Sequence, residues 1–407
     1  MSRLVAPVRA LAVVLCALAP AATATAAVPK GPAGDAFYTP PSPLPAGAHG
    51  AVIRARPLTG AAVVPGASKT TLVLYRSADA AGHAVAVSGV VSLPKGHAPK
   101  GGWPVITYAH GTTGIADQCA PSRDVAGTPV HPYNAYVFPL LTRWLKAGYA
   151  VVRTDYQGLG TPGDHQYLVG ASEGRSVLDM ARAARALNPR LSKDIIISGH
   201  SQGGHAALFA AAEAAKWTPE LKLRGTVAFA PASHLDEQIP LTTALTAPGG
   251  GLSGLVADIT RGIDAATPSF DATTVLSDAA DALYPQTLTQ CLPALGAATS
   301  FGGLAPKDLF KPGTDFAPLA KLLDAQDPSH LAIRTPLLVA QGSADTTVIP
   351  LFTDKLVTEL KDNGAKSMTY DKVAGVDHGG IVTAAAGTAT AWTRSASGRR
   401  HRRKSSA

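Results

Sequence analysis

Residues 194–197 read Asp-Ile-Ile-Ile, and Ser198-Gly199-His200-Ser201-Gln202-Gly203-Gly204 follow directly. Three successive isoleucines with no polar alternation predict a strand covered on both faces, as in the middle of a parallel sheet. Parallel neighbours need long crossovers, usually helices. This one run therefore points to layered α/β architecture. Other apolar runs with strand character lie at 71–76, 84–93, 104–108, 149–155, 225–230, 336–340 and 367–373. Helical patterns fall at 135–147, from Ser172 or Glu173 to Leu187, from Gly203 to Ala215, and at 349–362. Their alternation predicts a mostly parallel, doubly wound α/β sheet with right-handed crossovers.

The rhythm breaks over 232–330, which carries Gly249-Gly250-Gly251, several prolines and short helical patches such as 252–264. So long a stretch is not a plain loop. It predicts a helical cap inserted into a core made of 28–231 and 331–393, with 28–47, rich in proline and glycine, as an extended arm. Residues 1–27 combine Arg3 and Arg9, an apolar run from Leu11 to Ala19, and small residues up to the end. That is the layout of a secretory signal peptide, with cleavage expected near Ala26 or Ala27. A membrane anchor is the alternative, but the apolar run is short for a bilayer.

The net charge of +8 suggests a polyanion such as nucleic acid as partner, but its distribution argues otherwise. Eight of the 36 basic residues lie in 1–27 and in the tail 394–407, which hold no acid; the other 28 balance the 28 acids. The body is neutral, so no nucleic-acid partner is expected, and the basic tail reads as disordered. Cys16 leaves with the signal. Cys119 and Cys291 remain, and two cysteines in an oxidising compartment suggest one disulfide, with a pair of buried free thiols as the alternative.

The pattern Gly-x-Ser-x-Gly occurs twice, around Ser172 and around Ser201. Only Ser201 follows a buried strand and precedes a helix. Such a strand–turn–helix holds a serine in a strained turn above the C-terminal ends of a sheet. Ser172 fits a helix N-cap instead. A nucleophilic serine needs a base, and the base needs an orienting acid, in the order serine, acid, histidine for this layout. Asp345, just past the 336–340 strand, is the best acid, with Asp371 and Asp377 as weaker alternatives. After it only His378 and the tail residue His401 remain, which favours His378. For the oxyanion, the N–H of Gln202 is the first expected donor. The second is expected on Thr112, or else Gly111, in His110-Gly111-Thr112-Thr113, where His110 braces the loop. His200 and His205 precede the acid and are read as structural. His165 and Tyr167 are candidates for the pocket wall. No histidine–carboxylate spacing fits zinc, and Gly158–Gly163 lacks the spacing of a dinucleotide loop, so neither metal nor cofactor is expected.

Several segments, in this order, resemble the secretory lipase family of α/β-hydrolases. They are Phe37–Pro41 (FYTPP), Ala51–Pro57 (AVIRARP), Cys119–Ser122 (CAPS), Asp155–Gly160 (DYQGLG), Gly199–Gly204 (GHSQGG), Gly342–Asp345 (GSAD) and Asp377–Gly380 (DHGG). The resemblance implies an α/β-hydrolase fold and an extracellular hydrolase of acylglycerols. It also implies a cap carrying the acyl tunnel, Ser201, Asp345 and His378 as triad, and a bridge from Cys119 on the oxyanion loop to Cys291 on the cap. One departure is the His-Gly form of the oxyanion loop, where some members carry an acid. The expected function is a secreted serine carboxylic-ester hydrolase, a triacylglycerol lipase working through an acyl-enzyme on Ser201. Its substrate would be an acyl ester or lipid, met in solution or at a lipid–water interface. A non-lipolytic esterase and an extracellular acyltransferase with the same triad are the alternatives. A peptidase or a non-catalytic binding scaffold fits less well.

Overall fold

The computed structural model describes residues 28–398. The signal-peptide reading, with Cys16 and the cleavage point, lies outside them, as does the tail from 399 onward.

Nine strands form one sheet among the described residues: β1 (Val52–Pro57), β2 (Lys69–Ala78), β3 (Ala84–Leu93), β4 (Trp103–Ala109), β5 (Ala150–Thr154), β6 (Leu191–His200), β7 (Lys222–Phe229), β8 (Leu337–Gly342) and β9 (Met368–Val373). Their spatial order is β1-β2-β3-β5-β4-β6-β7-β8-β9. The β1–β2, β2–β3 and β3–β5 pairs are antiparallel, and every pair from β5 to β9 is parallel. The chain has the α/β-hydrolase fold.

The helices are α1 (His131–Ala135), α2 (Phe138–Lys146), α3 (Gly170–Leu187), α4 (Gln202–Trp217), α5 (Leu235–Thr242), α6 (Gly251–Ala266), α7 (Asp278–Leu283), α8 (Leu292–Leu295), α9 (Ala317–Asp324), α10 (Pro350–Asp362), α11 (Gly380–Ala384) and α12 (Ala386–Ala396). The predicted 135–147 helix is α2, and the short α1 precedes it. The last helix takes in Arg394–Ala396, which the sequence pattern assigns to the tail. Ser172 does not cap α3: it sits in the first turn of a helix that starts at Gly170.

Successive residues of the central strands feed two different cores. Ile195 and Ile197 pack with Val105, Val152 and the α3 and α4 residues Val177, Met180 and Ala207. Ile196 packs on the other face with Ile106, Val151, Leu141, Trp144 and Ile381. This is why 194–197 shows no polar alternation. β1 has no such pattern. It is an edge strand, with Arg54 and Arg56 along it, and it exists because β2 offers a partner. The arm before it is anchored by Phe37 and Tyr38, which pack on Leu72, Leu74 and Val90.

Between β7 and β8 the chain forms α5 to α9. Their core joins Val256, Ile259, Ile263, Phe301 and Leu309 to Ile115, Tyr167 and Leu168 from loops over the sheet. One buried group there is out of keeping. Asp258 on α6 is fully buried, and neither carboxylate oxygen has a hydrogen-bond partner among the described residues. Burial pushes its carboxyl well above the usual range. A raised carboxyl stabilises the fold while protonated, and that contribution is lost as pH climbs above the unfolded value toward the folded one. Asp258→Asn should therefore match the wild type in Tm near pH 4 and exceed it increasingly toward pH 8, in paired thermal scans.

Candidate active site

Ser201 stands between β6 and α4 with φ 59° and ψ −120°, a conformation that costs on the order of 1–3 kcal/mol. Three backbone bonds hold it there: its N–H donates to Phe229 O (2.9 Å), and its carbonyl accepts from His205 N–H (3.1 Å) and Ala232 N–H (3.3 Å). The flanking glycines are obligatory. A Cβ on Gly199 would lie 1.9 Å from Gly203 O, and one on Gly203 would lie 2.0 Å from Ala109 O. Gly204 is needed for close packing, with its virtual Cβ 2.8 Å from Pro231 Cα.

The other two candidates converge on this turn. His378 Nε2 lies 2.9 Å from Ser201 Oγ, and His378 Nδ1 lies 2.7 Å from Asp345 Oδ2. Asp345 follows β8 and is buried. Its Oδ1 accepts from Thr347 N–H (2.8 Å) and Val348 N–H (2.9 Å), and its Oδ2 accepts from Gln341 Nε2 (3.1 Å). These donors fix the carboxylate so that Oδ2 also accepts a hydrogen bond from His378 Nδ1–H. Neither alternative acid is bonded in this way: Asp377 Oδ1 accepts from Gly380 N–H, and Asp371 lies within β9.

His200 does more than the sequence suggests. Its Nε2 donates to His378 O (2.8 Å), so its Nδ1 accepts from Tyr136 Oη (2.5 Å). Burial, and the neighbouring His378, hold its pKa well below the usual imidazole range. A neutral ring thus braces the backbone of His378. No local signal distinguishes His200 from a core histidine, because its partners come from distant segments.

Ser201, His378 and His200 line a cavity of about 620 Å³ together with Gly111 and Thr112. Leu252, Leu255 and Leu292 from the segment between β7 and β8, and Tyr133 of α1, make an apolar wall. The two expected second oxyanion donors thus share the cavity with Ser201. Gln202 opens α4, where a first-turn N–H has no intrahelical acceptor. His110 Nδ1 donates to Gly111 O (2.7 Å) and braces the loop. His165 and Tyr167 are not among the lining residues. Tyr167 stands behind the loop, its Oη 2.5 Å from Thr112 Oγ1, and His165 is buried below the turn. No group of three or more His, Cys, Asp or Glu side chains suited to a metal occurs among the described residues.

Sequence comparison adds to this geometry. A family-level sequence model described as secretory lipase matches residues 136–400. The chain belongs to the secretory lipase family. Among relatives, lipase A of Moesziomyces aphidis is 28% identical over 66% of this chain and 57% of its own length. The chain thus spans less than two thirds of that lipase. Lipase 4 of Candida albicans is 25% identical over 86% of this chain and 78% of its own length. A probable inactive lipase of Mycobacterium tuberculosis is 25% identical over 84% of this chain and 77% of its own. The closed-state structure of Candida antarctica lipase A superposes with a TM-score of 0.76, at 21% identity, covering 90% of this chain and 86% of that one.

In this chain, Cys119 and Cys291 form a disulfide with Cα atoms 5.5 Å apart. It joins the loop after β4 to the segment between β7 and β8. The junction is tight: Leu292 N–H donates to Thr113 O (3.0 Å), and a Cβ on Gly114 would lie 2.8 Å from Cys291 Cα. Closing a loop of 172 residues stabilises by roughly 5 kcal/mol in the chain-entropy model. Replacing both cysteines by serine should cost about 2–5 kcal/mol, seen as a lower Tm. A Tm equal to that of the wild type would mean the bridge contributes nothing.

Proposed function

We propose that this chain is a secreted serine carboxylic-ester hydrolase, a lipase acting on acylglycerols. The carrying observation is the unbroken chain from Asp345 Oδ2 through His378 to Ser201 Oγ, with contacts of 2.7 and 2.9 Å, at the wall of an apolar cavity. Asp345 accepts a hydrogen bond from Nδ1–H, which keeps the proton there and leaves Nε2 as the base. His378 takes the hydroxyl proton as Ser201 Oγ attacks the ester carbonyl. The backbone N–H of Gln202 and that of Thr112 or Gly111 receive the oxyanion, aided by the positive end of α4. His378 then protonates the leaving alcohol. In the second half it deprotonates water, which releases the acid from the acyl-enzyme. The chain's own groups supply every proton transfer.

The leucines of the cap favour an acyl chain on that side of the cavity. A relative named as probably inactive raises the question of activity here; the three side chains present and in contact favour an active enzyme. The sequence of residues 1–27, the disulfide and the family's secretory description favour export to an oxidising compartment.

Ser201→Ala should lower kcat on p-nitrophenyl esters by at least about a thousandfold. Asp345→Asn keeps an oxygen for Thr347 and Val348 but presents an N–H to His378, and should cost about 10³–10⁴-fold. Wild-type rates in the serine variant would refute the proposal. A profile across short and long acyl esters separates lipase from short-chain esterase: a lipase gains on long chains above their solubility limit.

A further inference from the structure

We propose that Glu173 is a positioning residue for the oxyanion donor, acting through the side chain of Gln202. This rests on the hydrolase mechanism above. It makes the Gln202 side chain, and not its N–H alone, part of the catalytic design.

Glu173 lies in the first turn of α3 and is fully buried. A buried carboxylate is tolerated only when its oxygens are satisfied, and here each has a task. Oε1 accepts from Leu168 N–H (3.0 Å) and from Gln202 Nε2 (2.7 Å). Oε2 faces His205 Nδ1 at 3.3 Å. The second N–H of the Gln202 amide points at His165 Nε2, 3.0 Å away. Its orientation follows from hydrogen-bond logic. His165 Nδ1 donates to Gln157 O (2.7 Å), so Nε2 can only accept while the ring is neutral. Burial supports this by lowering the His165 pKa to about 4. Both amide protons of Gln202 are therefore engaged, and the residue is locked at the first position of α4. Its main-chain N–H is the donor that the oxyanion needs.

The outer end of this network reaches the cap. His205 Nε2 donates to Gln326 O (2.8 Å), and Gln326 Oε1 accepts from Gly170 N–H (3.0 Å) at the start of α3. Gln326 follows α9 on the return from cap to sheet. Asp327 beside it accepts from the N–H of His234, at the start of α5. The segment that closes the cap thus rests on the same carboxylate that orients the donor. A purely structural Glu173 would affect folding and leave the transition state alone. A positioning Glu173 affects the transition state with little effect on substrate binding.

Three variants separate these cases. Glu173→Gln keeps an oxygen for Leu168 and Gln202, so kcat should stay near the wild-type value. Glu173→Leu removes the acceptor, and Gln202→Met removes the anchored amide while keeping the main-chain N–H. Each of these two should lower kcat about ten- to a hundredfold with KM little changed, part of the loss seen when an oxyanion donor is deleted. Affinity for an alkyl boronic acid, which mimics the tetrahedral adduct on serine, should fall in proportion. The double variant Glu173→Leu/Gln202→Met should be no worse than either alone. If Glu173→Leu does not fold, Gln202→Met carries the test by itself. A wild-type kcat in Gln202→Met, or a change confined to KM, overturns the proposal. Equal rates in the wild type and Ser201→Ala would instead overturn the hydrolase assignment.

Discussion

Everything at the site depends on how closely three stretches of backbone approach at one turn. The carbonyl of Ala109 at the end of β4, the turn after β6 and the chain leaving β7 meet where no side chain fits. That contact forces glycine at 199, 203 and 204, and it holds Ser201 in a conformation it would not adopt alone. The strain is sustained because β6 is buried on both faces and cannot shift. A flexible strand would let the turn relax and carry the hydroxyl away from His378.

Around this rigid point the remaining groups are held by hydrogen bonds that each have a determined direction. Asp345 is fixed by two backbone donors and an amide, His378 by Asp345 and by the carbonyl bond from His200, and Gln202 by Glu173 and His165. Low exposure strengthens each bond and penalises any that is left unmade. The arrangement is stiff because its bonds are made, in contrast to Asp258, which is buried with no hydrogen-bond partner among the described residues.

Much of this was readable from the chain because the deciding signals are local. The isoleucine run, the glycines and the order of serine, acid and histidine all lie within short windows or follow from counting along the sequence. What was not readable depends on partners far apart. β1 carries arginines and is recruited by β2. Ser172 looked like a helix cap, but α3 begins at Gly170, where the N–H is taken by Gln326, more than 150 residues away. Arg394 looked like part of a basic tail, yet α12 continues through it. The roles of His200, Glu173 and Asp258 follow from burial, and a polar residue's burial leaves no periodic trace in the sequence.

The disulfide has a consequence for the integrity of the molecule. Its closed ring contains Ser201, whereas Asp345 and His378 lie beyond Cys291 on the open side. A protease cut in the exposed stretch around Leu241 and Leu245 would divide the nucleophile from its base along the chain. The two fragments would still be covalently one molecule, and the strands that align them would remain paired. A nick there need not be fatal until a reductant arrives.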